Sequence, residues 1–189
     1  AAIADPPYQV KSNPFFLLRQ FEGNLALMKD LSLDLKTLWQ KDKPDLVLAD
    51  FTLPLAGLLA QASGIHWWTS LPTPCALESQ TGTPSYLGGW MPGRTPFHSM
   101  RDTIGRNLIR QFKRFIAWRY RQTLSKLGIQ SLYRPDKTEI VYSPQRILAL
   151  GIPDFEFNRD WPTSLHFVGP LTDSPPFKHT APRFEENKK

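Results

Sequence analysis

The sequence predicts an α/β fold: a parallel sheet with helices flanking it. Three observations carry that expectation. Two short apolar runs, Leu46 to Asp50 and Ile65 to Leu71, bracket a small-residue helical stretch, which is the pattern of a βαβ unit. A long segment ahead of them and another behind repeat apolar residues every three or four positions, the period of an amphipathic helix. Of the 189 residues 41% are hydrophobic and 21% charged, enough apolar material for one folded core and too little net charge for a disordered chain.

Taken in order, Ala1 to Lys11 reads as a lead-in, without a basic start or apolar stretch of the kind a signal peptide has, and like the middle of a longer sequence. Ser12-Asn13-Pro14 is a helix start. The stripe Leu18, Phe21, Leu25, Met28, Leu31, Leu35 and Leu38 then predicts one long helix, kinked near Gly23 and ended by the polar run Gln40 to Pro44. Asp45 to Asp50 has the look of a buried parallel strand. Pro54 opens a short helix that stops at Ser63-Gly64, and Ile65 to Leu71 is the next strand. Pro72 to Pro96 carries five prolines and four glycines among large apolar residues, an unusually long loop. A helix over 97–127 follows, then strands at Arg146 to Leu150 and Leu165 to Val168. The body of the domain is 12–171, and 172–189 is a polar, proline-containing linker or tail.

Charge is concentrated in one place. The formal net charge is +6, yet Arg94 to Lys126 alone carries nine basic residues against Asp102, leaving the remainder slightly acidic. The same helix bears Ile104, Leu108, Phe112 and Phe115 at helical spacing. The plainest reading docks that apolar face on the sheet and leaves the arginines in water. A second reading is a non-catalytic binding module that lays the helix on an anionic membrane surface. No nucleic-acid motif accompanies the charge, so a nucleic-acid partner is not expected.

Several chemistries are absent from the pattern. There is no glycine-rich phosphate loop, no HExxH helix and no GxSxG elbow. His66, His98, His166 and His179 lie far apart without metal-ligand spacing, and the two in strands are expected to be packed. Cys75 is the sole cysteine, which excludes an internal disulfide and fits a reducing, cytoplasmic setting. Asp50 is the most informative residue. It closes a predicted parallel strand at its carboxyl end, where open α/β sheets place ligands. A carboxylate there can orient a histidine and stabilise its protonated form, or it can cap the helix that begins near Leu53; spacing leaves both open.

Pro44 to Asp50, the small-residue helix, Gly64-Ile65, Thr73-Pro74 and Phe167-Val168-Gly169-Pro170-Leu171 stand in an order that resembles the N-terminal domain of GT-B glycosyltransferases. The similarity is greatest to UDP-glycosyltransferases of the macrolide and zeaxanthin glucosyltransferase group, and it runs from Phe15 to Leu171. It implies a Rossmann-like parallel sheet, here an incomplete N-terminal half of a GT-B fold. It implies an enzyme that moves a hexose from a UDP-sugar to a hydrophobic hydroxyl acceptor with inversion and without a metal. Asp50 matches the aspartate that assists the catalytic histidine. Phe51, Leu53, Thr73, Pro74, Leu77 and Trp90 fall where such enzymes line the acceptor pocket.

Two departures accompany the resemblance. The family's base sits in a Gly-His-x-x-Pro turn, and no histidine precedes His66. Its donor motif lies in a C-terminal domain, which the resemblance makes this chain's missing partner. The chain by itself is therefore expected to bind no cofactor or nucleotide sugar and to be inactive. A sheet lacking the family's first strand is also expected to expose an unpaired edge, through which copies could associate.

Overall fold

The computed structural model describes residues 14–85, 90–157 and 159–170; side chains are described from residue 22 onward, and for Arg19. The predicted lead-in, the 172–189 tail, His179 and Leu171 lie outside the described residues, as do Tyr86 to Gly89 within the long loop. The chain runs α1 (Pro14–Lys41), β1 (Leu46–Asp50), α2 (Pro54–Ala62), β2 (His66–Leu71), α3 (Pro96–Arg119), α4 (Arg121–Lys126), β3 (Ile147–Ala149) and β4 (Leu165–Phe167). The strands form one sheet in the order β1-β2-β3-β4, every pair parallel. The α/β parallel sheet is thus as expected.

Each boundary has a local cause. Pro54 starts α2 because its missing N–H is not needed in a first turn. The helix ends in a Schellman closure: Gly64 N–H donates to Gln61 O at 3.1 Å and Ile65 N–H to Ala60 O at 2.8 Å. That closure needs the left-handed backbone Gly64 adopts, at φ 66°. Thr95 caps α3, its hydroxyl accepting from His98 N–H at 3.4 Å ahead of Pro96. The helix α1 runs as one continuous helix through Gly23, and the expected helix over 97–127 is divided at Tyr120 into α3 and α4.

Register assigns the two faces of the sheet. Val47, Ala49, Trp67, Thr69, Leu71, Ile147, Ala149, Leu165 and Phe167 share one face. It is the packed one, with α2 lying on β1 and β2 and α1 on α2. Ala49, Ala60, Ile65 and Trp67 form the core on that side, and Leu71, Leu77, Tyr142 and Ile147 continue it. Gly57 lets α2 approach: any Cβ there would overlap the six-membered ring of Trp67. Leu25, Leu124 and Ile129 join α1 to α4 in a third cluster.

The opposite face is open. Leu46, Leu48, Asp50, His66 and His166 are exposed along it, beside the half-buried Trp68 and Leu148. The buried strand expected at Asp45 to Asp50 is therefore an edge strand packed on one side only, with Leu48 54% exposed. The two strand histidines are likewise exposed rather than packed, because alternation puts both on this face. The long loop after β2 is partly structured among its described residues. It makes a 3₁₀ turn at Pro74–Ala76 and buries Thr83, Pro84 and Ser85.

Candidate functional site

The carboxyl ends of β1, β2 and β3 bring together segments far apart in sequence. Phe51 N–H donates to Ser70 O at 3.0 Å and Leu150 N–H to Leu71 O at 2.9 Å, carrying the pairing past the strand ends. Asp50 stands at this edge on the open face. Its Oδ1 accepts from the Thr52 backbone N–H at 2.9 Å and from the Thr52 hydroxyl at 2.6 Å. The carboxylate thus shapes the turn into α2 but does not cap it; Leu53 is the N-cap residue and makes no side-chain cap bond.

Across the edge, the Thr73 hydroxyl donates to Glu156 Oε1 at 2.6 Å and accepts from Cys75 N–H at 3.4 Å. Glu156 is a second carboxylate at the strand ends, after β3. No motif could reveal it, because only the β2–β3 pairing carries it to Thr73. Beside it, Arg159 has Nε and Nη1 buried without a hydrogen-bond partner among the described residues, and its guanidinium lies 4.9 Å from the Trp161 ring centroid. Burial lowers the Arg159 pKa, partly offset by the charge of Glu156.

The sequence-predicted residues are distributed in three ways. Asp50, Leu53 and Thr73 are exposed near the strand ends, and Phe51 is half-buried against the Leu71–Leu77 core. Pro74 and Leu77 are buried, Leu77 within that core. Trp90 lies in the loop ahead of α3, with the guanidinium of Arg101, a residue of α3, 4.7 Å from its ring centroid. Among the described histidines, His66 pairs in register with Leu46, at the opposite end of β1 from Asp50. No group of three or more His, Cys, Asp or Glu side chains able to hold a metal occurs among the described residues.

A second polar cluster lies under α3. Glu78 accepts from Arg110 Nε at 2.9 Å and from the Tyr133 hydroxyl at 2.8 Å, and Lys113 Nζ lies 2.7 Å from Glu78 Oε1 and 2.5 Å from Glu139 Oε1. A cleft of about 250 Å³ opens beside it, lined by Arg110, Arg134, Glu139 and Trp161. Burial pushes the Glu78 carboxyl up, but Lys113, Arg110 and Tyr133 outweigh it and hold the value below the ordinary one. Burial dominates at Glu139 and raises its carboxyl despite Lys113. Tyr133 is raised by burial and by its bond to the Glu78 carboxylate. Ser143 plays a similar tying role near β3. Its hydroxyl donates to Trp67 O at 2.6 Å and accepts from Gln145 and Arg146 N–H at 3.1 and 3.2 Å.

This arrangement reverses the expected seating of the basic helix. Arg110 and Lys113 turn inward to Glu78 and Glu139, Arg101 pairs with Asp102 at 2.7 Å, and Arg106 reaches Gly82 O. The apolar stripe expected on the sheet faces solvent instead: Ile104, Leu108, Phe112 and Phe115 are all more than half exposed. The reason is long-range. Glu78 and Glu139, from two distant loops, supply anions on the inner side that the helix sequence does not announce.

Neither a family model nor a curated protein matches the chain. Among solved structures it is similar to one described as the glycotransferase of kitacinnamycin. The match covers 89% of this chain with a TM-score of 0.52 at 19% identity. The fold is shared with a glycosyltransferase. The chain spans 39% of the length of that protein. No helix among the described residues is long and apolar enough to cross a membrane.

Proposed function

We propose that this chain is the acceptor-side part of a GT-B glycosyltransferase, one that moves a hexose from a UDP-sugar to a hydrophobic hydroxyl acceptor with inversion. The observation that carries the reading is Asp50, exposed at the carboxyl end of a parallel strand in a fold shared with a glycosyltransferase. In this reading a histidine supplied from outside the described residues takes the proton of the acceptor hydroxyl. Asp50 holds that imidazole in orientation and stabilises the imidazolium. The acceptor oxygen then forms its bond to the anomeric carbon as the bond to the nucleoside diphosphate breaks.

Asp50 is suited to this because its Oδ1 is fixed by Thr52, which locks the side-chain rotamer without burying the group. Phe51 and Leu53 supply apolar surface beside it, and Thr73 adds a hydroxyl one strand away. In this reading, as the resemblance implies, a C-terminal domain holds the donor, and the described residues by themselves bind no nucleotide sugar and turn over nothing. The test is turnover of a UDP-hexose by the longer protein that carries this segment, comparing the wild type with Asp50→Asn. A kcat reduced by about 10³-fold or more, with an unchanged melting profile, supports the reading. Unchanged turnover removes Asp50 from catalysis and leaves it as a turn former.

A further inference from the structure

The α3 helix ends with its apolar face turned to water. Phe97, Met100, Ile104, Leu108, Phe112, Phe115 and Trp118 are between 55% and 77% exposed. At about 100° per residue these seven fall within an arc of about 120°, and they run about 30 Å along the axis. Asp102, Gly105 and Ile109 occupy the buried side. The inward face therefore carries ion pairs, and a continuous apolar ridge is left without a partner among the described residues, the inverse of a surface helix docked on a core.

The surroundings of the ridge specify its partner. Arg94 just ahead of α3, and Arg114, Arg119, Arg121 and Lys126 along α3 and α4, are exposed. Between Asp102 and Asp136 the chain contains no acidic residue, and Asp102 itself is buried against Arg101. At the far end Phe115 and Trp118 lie with ring centroids 6.0 Å apart, and the Arg121 guanidinium sits 5.5 Å over the Trp118 ring. An indole capped by a cation beside an apolar ridge matches the boundary between acyl chains and headgroups. A second copy of the chain fits less well, since packing two such ridges would gather cations with no anion to meet them.

We propose that α3 docks the protein in the plane of an anionic lipid surface, the ridge entering the acyl boundary and the exposed arginines meeting the headgroups. The inference goes beyond glycosyl transfer and needs no sugar, so the two stand or fall separately. The experiment is flotation of the purified chain with phosphatidylglycerol-rich vesicles and with pure phosphatidylcholine vesicles. Salt is raised from about 0.1 M to 1 M, over which screening shortens from about 10 Å to 3 Å. Binding to the anionic vesicles that weakens with salt is expected. Ile104→Glu with Leu108→Glu should reduce it roughly tenfold or more, and Arg114→Glu with Arg121→Glu should reduce it as well. Both pairs point outward, so the circular dichroism melt should be unchanged and will certify folding. No binding by the folded wild type overturns the proposal, as does equal binding to phosphatidylcholine at every salt. Self-association undone by the Ile104 and Leu108 substitutions would overturn it too, assigning the ridge to a second copy.

Discussion

Glu78 shows how a single residue can decide the orientation of a whole helix. Its carboxylate collects Lys113, Arg110 and Tyr133, and it is their sum that keeps it ionised against burial. A carboxyl whose folded pKa lies below its unfolded value adds stability above about 4.5 and loses it as pH falls through the folded value. Glu78→Gln should therefore flatten the acid limb of a plot of urea midpoint against pH. At neutral pH it should also cost about 2–3 kcal/mol, because Arg110 is left half-buried without its anion. An acid limb identical to that of the wild type would show that the cluster does not contribute to folding. Asp50 is a different kind of residue. It was legible because it closes an apolar run, whereas Glu156 and Ser143 gave no sequence signal, each gaining its partners through strand pairing.

At the level of elements, α2 and β2 are fitted to each other through one missing side chain. Alanine is a better helix former than glycine by about 1 kcal/mol, so Gly57→Ala would stabilise an isolated helix. Here the added methyl meets the Trp67 ring, and α2 or the indole must move. A net loss of about 1–3 kcal/mol is expected in denaturant unfolding, together with a changed near-ultraviolet signal from the indole. A gain in stability would mean that the helix shifts freely on the sheet. The strands and α2 could be read from sequence because apolar runs closed by Pro, Gly or Asp are local signals. The seating of α3 could not. Periodicity reports that one side of a helix is apolar; it does not report what that side meets, and the anions that draw Arg110 and Lys113 inward come from loops on either flank.

At the scale of the molecule, the sheet formed by the described residues is covered on one face and open on the other, with β1 paired among them on only one side. Parallel sheets are ordinarily buried on both faces, and an exposed edge strand recruits further strands. The chain is therefore expected to gain mass with concentration when measured by size exclusion with light scattering. Leu48→Lys, placing a charge on the open face of the edge strand, should hold it monomeric without lowering its melting temperature. A wild type that stays monomeric at every concentration would show that edge and face tolerate water. The parallel order has a kinetic consequence as well. The β1–α2–β2 unit closes over a short connection, while β3 reaches β2 only after the chain has travelled from Leu71 to Ile147. Loop closure makes that longer crossover about 1.4 kcal/mol more costly in entropy. The first two strands and their helix should thus assemble early, and Ser143, which ties both Trp67 and Thr69 to the start of β3, would act as the latch of the later step.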